Sequence, residues 1–271
     1  MKKVILIGGA GRMGRTLAGC LLDGTVSNLE LAGAVDLANK PEQGQDLGIL
    51  AGRAPCGISL SADFPALVNE GDLFIDFSFH TGIEQRLAVL ADAGKSIVVG
   101  TTGLTEAEKS GLSRLAERTP ILFSANMSLG INLLAALVEQ AAARLKDKGY
   151  DIEVVEMHHR LKRDAPSGTA LLLGEAAARG SGWDLAEVQK DGRSGVGGER
   201  PEQEIGFHAL RGGDVVGDHT VRFAADGELL DLGHRATRRE TFAIGALRAA
   251  AWLSGQSAGR LYSMNDVLGL D

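Results

Sequence analysis

A short apolar segment leads directly into a glycine-rich one at the start of this chain. Val4 to Ile7 is an unbroken hydrophobic run of strand length, which is typical of a strand buried on both faces. Glycines follow, and apolar side chains then recur at helical spacing over residues 13–21. A buried strand, a glycine turn and a helix in this order predict the first crossover unit of an α/β domain.

The glycine turn has the spacing G-x-x-G-x-x-G from Gly8 to Gly14, a variant of the dinucleotide-binding fingerprint. A side chain there would keep a pyrophosphate away from the backbone amides, and the N-terminus of the following helix supplies free N–H donors. For the glycines alone, a tight turn without a ligand is the alternative interpretation. A second predicted strand, Leu31 to Val35, ends at Asp36, and this full context favours a dinucleotide site.

Asp36 also bears on which dinucleotide is expected. A carboxylate at the end of the second strand accepts hydrogen bonds from the adenosine ribose hydroxyls and repels a 2′-phosphate. Leu37, the next residue, carries no positive charge to offset that repulsion. We therefore expect NADH to be preferred, with NADPH use possible.

Strands and helices alternate as far as about residue 126, and this pattern predicts a Rossmann-like, doubly wound parallel sheet. Leu129 to Leu145 then has the pattern of one long helix, and three strand-like runs follow at Ile205–Arg211, Val215–Ala224 and Glu228–Ala236. Consecutive strands with short turns indicate an α+β domain on a mixed or antiparallel sheet. We predict a dinucleotide-binding domain over residues 1–127 and a second domain over residues 128–238.

Composition excludes several classes of partner. The net charge of −7 and the 4% of aromatic residues disfavour a nucleic-acid or anionic-membrane surface. Cys20 and Cys56 are the only cysteines, so neither a disulfide framework nor a CxxC metal site is expected. The apolar run at the N-terminus is too short for a secretory signal, and the sequence has no apolar stretch of membrane-spanning length. We expect a cytoplasmic protein whose substrate is a small molecule.

The segment from Glu156 to Ala170 combines a basic cluster with a helix start. Ser167 and Thr169 are natural capping residues for the helical run that follows, which would leave the amides of Gly168 and Thr169 as an anion site. His158 can exchange a proton at neutral pH, and a lysine beside other cations loses its proton more readily. We predict a pocket for a small polyanion beside a proton donor; a solvated basic loop with a helix cap is the alternative. Adjacent histidines without a third ligand make a poor zinc site, so no metal is expected.

Several motifs recur together in this chain: the E-x-H-H-x-x-K-x-D-x-P-S-G-T-A segment at 156–170, the glycine loop, G-T-T-G at 100–103, A-N-M-S at 125–128 and the glycine-rich segment that ends in G-E-R at 198–200. Together they resemble the 4-hydroxy-tetrahydrodipicolinate reductase family, also called dihydrodipicolinate reductase. The resemblance covers essentially the whole chain. It implies a cytoplasmic, homotetrameric oxidoreductase that reduces 4-hydroxy-tetrahydrodipicolinate to tetrahydrodipicolinate with NAD(P)H in lysine and diaminopimelate biosynthesis.

The resemblance also implies residue roles. His158 matches the family's proton donor and acceptor, and Lys162 matches its second proton donor. The expected substrate-binding positions are His159, Ser167, Gly168 and Thr169. The expected cofactor-binding positions are Gly8, Gly9, Ala10, Gly11, Arg12, Met13, Asp36, Gly100, Thr101, Thr102, Ala125, Asn126, Met127 and Ser128. The family's second domain holds the tetramer together, and its last helix, matched here by Thr241 to Leu253, returns residues 239–271 to the first domain.

Three other functions are less consistent with these motifs. Another NAD-dependent reductase of a small dicarboxylate or amino acid, such as an aspartate dehydrogenase-like enzyme, would share the glycine loop but would not need the intact segment at 156–170. A regulator that senses NADH would have no use for a proton donor beside an anion site. A methyltransferase would leave Asp36 unexplained.

Overall fold

The computed structural model describes residues 1–270. Its strands are β1 (Lys2–Ile7), β2 (Leu29–Val35), β3 (Leu60–Ser61), β4 (Leu73–Asp76), β5 (Ser96–Val99), β6 (Ile121–Phe123), β7 (Asp151–His158), β8 (Gln189–Asp191), β9 (Ile205–Arg211), β10 (Gly217–Ala225), β11 (Glu228–Ala236) and β12 (Leu261–Tyr262). Its helices are α1 (Arg12–Leu22), α2 (Leu47–Leu50), α3 (Phe64–Glu70), α4 (Ile83–Asp92), α5 (Glu106–Ala116), α6 (Leu129–Leu145), α7 (Gly168–Ser181), α8 (Leu185–Val188), α9 (Glu240–Leu253) and α10 (Met264–Leu268).

The chain divides into two compact units. Unit 1 comprises Met1–Leu129 and Glu240–Asp271, and unit 2 comprises Gly130–Arg239. Within residues 1–270, no helix combines the length and the apolar character needed to span a bilayer.

Unit 1 is built on a seven-stranded sheet in the order β12-β6-β5-β4-β1-β2-β3, with every neighbouring pair parallel. Six of these strands have the order 3-2-1-4-5-6 of doubly wound dinucleotide-binding sheets. The order reverses next to β1, so ligands of such a sheet bind at the carboxyl ends of β1 and β4. The predicted Rossmann-like parallel sheet is confirmed.

The apolar run of β1 is buried on both faces because helices cover both sides of the sheet. Val4 and Leu6 belong to one hydrophobic core, which α1 and α9 share, whereas Ile5 and Ile7 belong to the core on the opposite face. All four side chains are less than 5% exposed. Burying both faces holds the end of β1 firmly, and this end leads into the glycine turn.

Unit 2 is built on a five-stranded sheet in the order β11-β10-β7-β9-β8. The strand β10 runs antiparallel to β7 and β11, whereas β9 runs parallel to β7 and β8, so the predicted mixed sheet is confirmed. Alternate residues of β7, from Ile152 to His158, are buried, and its other side chains are partly exposed. The apolar faces of α6 and α7 contribute to the core against this sheet.

Candidate active site

The glycine turn of unit 1 is shaped by contacts that exclude side chains. Gly8 has φ +86°, and a Cβ there would lie 2.9 Å from the carbonyl oxygen of Phe77. A Cβ at Gly14 would lie 2.3 Å from the carbonyl oxygen of Gly8. The amides of Gly8 and Gly9 both donate to the carbonyl of Val35, which ties the turn to the end of β2. These contacts require glycine at positions 8 and 14 whether or not a ligand is bound.

The turn delivers the N-terminus of α1 to the surface. Gly11 is the N-cap residue, in extended conformation, and it has no side chain with which to cap the helix. The first turn of α1 contains Arg12 and Arg15 and no acidic residue. Uncapped amides and the positive end of the helix dipole therefore favour an anionic group at this position.

A cavity of about 700 Å³ lies beside this helix end, within unit 1. Its lining includes six of the predicted cofactor-binding residues, namely Gly8, Gly11, Arg12, Met13, Asp36 and Thr102. It also includes Arg86, which was not predicted, and Phe77, Ser78 and Phe79, whose position at a strand end of such a sheet indicates a ligand-lining loop. Phe79 and Leu37 are 77% and 61% exposed, so the cavity offers apolar side chains as well as charged ones. Its volume lies within the range of small-molecule sites in proteins.

Asp36 is oriented by backbone amides at the end of β2. Its Oδ2 accepts a hydrogen bond from the amide of Ala10 at 2.9 Å, and its Oδ1 accepts one from the amide of Leu37 at 2.8 Å. Each carboxylate oxygen can accept a second hydrogen bond. The carboxylate is therefore fixed beside the glycine turn and can still accept from a ligand hydroxyl.

The remaining predicted cofactor-binding residues do not line this cavity. Gly9 and Ala10 are buried in the turn itself, and a Cβ at Gly100 would lie 2.4 Å from the ring of Phe77. Thr101 is buried and donates from its hydroxyl to Asp76 at 3.1 Å. Their assignment to the cofactor site remains a prediction.

The A-N-M-S segment forms a tight connection between β6 and α6. Ser124 donates from its hydroxyl to the carbonyl of Asn126, and the Asn126 side-chain oxygen accepts from the amide of Ser128. Met127 is buried in the core that α9 shares. Ala125 is exposed. A cofactor contact from these residues is likewise still a prediction.

Asp76, at the end of β4, was not anticipated as a site residue. It is fully buried, and it accepts hydrogen bonds from Ser78 at 2.6 Å, from Thr101 and from Arg86 at 3.2 Å. Arg86 also donates a hydrogen bond to the carbonyl of Phe79. The cluster fixes the loop after β4 that forms part of the cavity wall. The sequence signal for it was an acidic residue that ends an apolar strand.

In unit 2, neighbouring strands bring residues that are far apart in the sequence to the end of β7. Glu156 and His158 lie two positions apart on β7, so they share one face, and both are buried. The sheet register places His219 of β10 opposite Glu156, and Arg211 of β9 beside His158. His158 was predicted as a site residue and Glu156 only belonged to the motif, whereas Arg211 and His219 were not singled out from the sequence.

The Glu156 carboxylate receives four hydrogen bonds. Arg211 donates from both terminal nitrogens, to Oε2 and to Oε1, each at 2.8 Å. The Nδ1 of His158 lies 2.6 Å from Oε2, and the amide of Ser167 donates to Oε1 at 3.1 Å. Burial disfavours the charge, but the hydrogen bonds from Arg211 and His158 outweigh it and hold the pKa of Glu156 below its ordinary value. Glu156 is therefore ionised at neutral pH.

His158 is hydrogen-bonded to this carboxylate through its Nδ1. Burial lowers its pKa below the ordinary value of histidine, although the hydrogen bond that Nδ1 donates to Glu156 acts in the opposite direction. A Cβ at Gly217 would lie 3.2 Å from the Nε2 of His158, so the glycine at the start of β10 leaves room beside that nitrogen. The ring of His158 is therefore held at Nδ1 and has space beside Nε2.

The turn after β7 carries His159 and Lys162. The amide of His159 donates to the carbonyl of Val215 at 2.7 Å, and the amide of Lys162 donates to the carbonyl of His159 at 3.1 Å. The ammonium group of Lys162 lies 2.8 Å from the carboxylate of Asp164. Backbone hydrogen bonds therefore fold the predicted basic segment into an ordered turn. Lys162 and His159 are each partly exposed.

The predicted helix start is confirmed. Ser167 is the N-cap residue of α7, and its hydroxyl accepts from the amide of Ala170 at 3.2 Å. Ser167 is buried and its hydroxyl also lies 3.3 Å from the Nε2 of His219. Gly168 is exposed and Thr169 partly exposed. The first amides of α7 thus lie next to the buried cluster around Glu156, where they favour an anion.

Family profiles and related sequences match this chain over nearly its whole length. The profile of the family described as "Dihydrodipicolinate reductase, N-terminus" matches residues 2–127, and that of "Dihydrodipicolinate reductase, C-terminus" matches residues 130–268. The 4-hydroxy-tetrahydrodipicolinate reductase of Rhodopseudomonas palustris is 50% identical over 268 residues, covering 99% of this chain and 97% of the relative. That of Parvibaculum lavamentivorans is 49% identical over 270 residues, covering 99% and 98%. The chain belongs to the dihydrodipicolinate reductase family.

Solved structures agree with this assignment at the level of fold. The dipicolinate-bound dihydrodipicolinate reductase from Paenisporosarcina sp. TG-14 matches with a TM-score of 0.75 at 22% identity, covering 97% of each chain. The scyllo-inositol dehydrogenase of Lactobacillus casei, solved with NAD(H) and scyllo-inositol, matches with a TM-score of 0.60 at 12% identity, covering 99% of this chain and 93% of the other. The reductase family therefore shares its architecture with other dehydrogenases.

Proposed function

We propose that this chain reduces 4-hydroxy-tetrahydrodipicolinate to tetrahydrodipicolinate with a reduced nicotinamide dinucleotide, in lysine and diaminopimelate biosynthesis. The observation that carries the proposal is full-length family membership combined with the intact segment at 156–170, whose His158 is held on a buried carboxylate. An aspartate dehydrogenase-like reductase would not require this arrangement.

The glycine turn and its cavity fit a dinucleotide. The uncapped end of α1 and the missing side chains at Gly8 and Gly11 suit a pyrophosphate, and Asp36 suits the ribose hydroxyls of the adenosine. When bound, the reduced nicotinamide supplies a hydride. The negative charge of Asp36 beside the uncharged, exposed Leu37 supports a preference for NADH over NADPH. The other predicted contacts, at Gly9, Ala10, Gly100–Thr102 and Ala125–Ser128, complete the proposed cofactor site.

The segment after β7 fits a doubly negative substrate. His159 and the amides of Gly168 and Thr169, at the capped start of α7, are proposed to hold the two carboxylates, with Ser167 beneath them. Holding both carboxylates orients the ring, and positioning together with charge complementarity lowers the barrier. His158 supplies the proton consumed as the ring is reduced and its 4-hydroxyl group leaves as water, and Lys162 acts as the second proton donor.

Residues 128–238 are proposed as the substrate-binding and oligomerisation domain of a homotetramer, and residues 1–127 with 239–271 as the dinucleotide-binding domain. The assembly is tested by light scattering coupled to size exclusion, where a mass near four times the chain's 28.3 kDa is expected. A mass near that of one chain would contradict it.

The reaction is tested by a coupled assay. The cyclic substrate is made in situ from pyruvate and aspartate semialdehyde, and the absorbance of NADH is followed. Substrate-dependent oxidation of NADH is expected, and activity with aspartate or other small dicarboxylates but not with the cyclic substrate would contradict the proposal. His158→Gln is expected to lower kcat by about 100-fold or more while NADH affinity stays nearly unchanged. An unchanged kcat would remove His158 from the mechanism.

A further inference from the structure

We infer that Glu156 and Arg211 are positioning residues: the Glu156 carboxylate, clamped by Arg211, fixes His158 as the Nδ1–H tautomer and leaves Nε2 as the nitrogen that exchanges a proton. The effect on turnover rests on the proposed role of His158. The tautomer itself follows from the geometry of unit 2 and can be measured without any reaction.

The tautomer follows from counting donors around the carboxylate. A carboxylate has about four acceptor positions, and those of Glu156 are taken by two N–H groups of Arg211, the amide of Ser167 and the Nδ1 of His158. Arginine and a backbone amide can only donate, so they hold Glu156 in its ionised form. An ionised carboxylate can only accept, and Nδ1 must therefore carry the hydrogen.

The opposite ring nitrogen is kept clear by Gly217. A Cβ at that position would lie 3.2 Å from the Nε2 of His158, which is tighter than an ordinary contact. The buried ring of His219 packs edge-on against the His158 ring at 5.0 Å and closes one side of it. The His158 imidazole is therefore held by the hydrogen bond at Nδ1 and by its contact with the His219 ring. Because Gly217 has no side chain, the space beside Nε2 stays open.

The same carboxylate also fixes the start of α7. The amide of Ser167 donates to Glu156, and Ser167 is the N-cap of the helix whose next residues are Gly168 and Thr169. Arg211 also ties the segment before α7 to this cluster, because its Nη2 donates to the backbone carbonyl of Asp164 at 2.7 Å. Glu156 and Arg211 thus set the distance between the proton carrier and the amides proposed to bind a substrate carboxylate.

The proton step balances without a proton on Glu156. His158 is neutral at rest, and it enters the step after Nε2 takes a proton from solvent, as an imidazolium whose charge is stabilised by Glu156. It gives the Nε2 proton to the substrate and returns to the neutral Nδ1–H tautomer. The carboxylate orients the ring and supports its charge throughout, which is the general role of an acid paired with a catalytic histidine.

The test compares Glu156→Gln with a matched variant. Glutamine preserves the size of the side chain, but its amide can donate to Nδ1 and so permits the other tautomer. Glu139→Gln is the control, because Glu139 also pairs with an arginine, Arg179, in unit 2 but lies between α6 and α7 on the surface. The full-length proteins are labelled with ¹⁵N-histidine, and the protonation state of each His158 nitrogen is measured by NMR at neutral pH; His158→Gln assigns the signals.

Wild-type protein and Glu139→Gln are expected to show a proton on Nδ1 of neutral His158, and Glu156→Gln is expected to show the Nε2–H tautomer or a mixture. In the assay, Glu156→Gln should lower kcat by about 100-fold with KM for NADH within about twofold, and Glu139→Gln should change neither. Glu156→Asp should recover part of kcat, because it restores a carboxylate. Arg211→Lys keeps the charge but loses the two-pronged contact, so its kcat should lie between that of the wild type and that of Glu156→Gln.

An Nε2–H tautomer in the wild type, or wild-type kcat and tautomer in Glu156→Gln, would overturn the inference. Should Glu156→Gln fail to fold by circular dichroism, Glu156→Asp and Arg211→Lys decide the question by the same two readouts. A loss of kcat in Glu156→Gln with the Nδ1–H tautomer retained would show a merely structural role and also overturn it. If the wild type lacked reductase activity, the proposed function would fail, whereas the NMR result would still decide the tautomer.

Discussion

The ring of His219 packs edge-on against the ring of His158, with centroids 5.0 Å apart and planes at 76°. His219 is 4% exposed, and its Nδ1 has no hydrogen-bond partner among residues 1–270. Burial, with the charge of His158 as the next cause, lowers the pKa of His219 to about 4. A cation here would be desolvated beside a second imidazole, so the folded state holds His219 neutral.

This burial predicts that acid destabilises the protein through His219. The unfolded chain binds a proton at its ordinary pKa of 6.5, whereas the folded chain does so only near pH 4. The unfolded state therefore holds more protons between these values, and the unfolding free energy falls as the pH drops through that window. Full stability from this residue is present above pH 6.5, and the loss reaches about 3 kcal/mol near pH 4. Denaturant unfolding at a series of pH values measures it.

His219→Gln is expected to flatten the pH dependence of the unfolding free energy between pH 6.5 and 4, even though it lowers stability at neutral pH. His208→Gln is the control, since its ring is one-third exposed in the same sheet. An unchanged slope in His219→Gln would contradict the assignment.

Gly8→Ala is predicted to destabilise unit 1 more than Gly24→Ala. Both glycines have positive φ, +86° and +65°, so alanine is strained at either position by about 1 kcal/mol. At Gly8 the new Cβ would also press on the carbonyl of Phe77, whereas the space around Gly24 is open in the described part of the chain. We expect a further loss of about 1–2 kcal/mol at Gly8. Denaturant unfolding measures both; equal losses would show that the contact is relieved by a backbone shift.

The sequence predicted the elements that depend on local pattern. The unbroken run at Val4–Ile7 indicated a strand buried on both faces, and the helix start at Ser167 was indicated by its capping chemistry. Short elements such as α2 and β12 were missed because four or two residues carry no readable periodicity. The strand predicted from Val215 begins at Gly217, since the carbonyl of Val215 accepts from the turn at His159 instead.

The candidate site was predicted only where its residues are neighbours in sequence. His158, Lys162 and Ser167 lie in one segment, and the structure brings them to one end of β7. Arg211 and His219 join them through strand register, which places residues more than fifty positions apart side by side. Neither has a distinctive local motif, and register depends on how the whole sheet packs. Such pairing between strands cannot be predicted from the pattern of a single sequence.

Leu37→Arg is predicted to shift the cofactor preference toward NADPH. Leu37 lines the cavity beside Asp36 and is 61% exposed, so an arginine fits there without displacing the core. Its guanidinium would offset the carboxylate and pair with a 2′-phosphate, and we expect about a tenfold gain in NADPH affinity, worth about 1.4 kcal/mol. Fluorescence titration with both cofactors measures it.

The control for this change is Leu229→Arg, which adds the same charge at an equally exposed leucine of unit 2. It should leave both affinities unchanged. If Leu37→Arg leaves the ratio of the NADH and NADPH dissociation constants as in the wild type, residue 37 does not contact the region of the 2′-phosphate.

Lys162→Met is predicted to impair both turnover and substrate binding. The side chain of Lys162 is only 21% exposed, and its ammonium group lies 2.8 Å from Asp164, so the charge is held in place on the turn after β7. Methionine keeps the length of the side chain and removes both the charge and the proton. We expect kcat to fall by about 100-fold and KM for the cyclic substrate to rise, because the proton donor and a cation facing the dicarboxylate are lost together. Steady-state kinetics with the in situ substrate measures both constants. Lys109→Met, which removes a lysine paired with Glu106 on the surface of α5, should change neither, and a wild-type kcat in Lys162→Met would exclude this lysine as a proton donor.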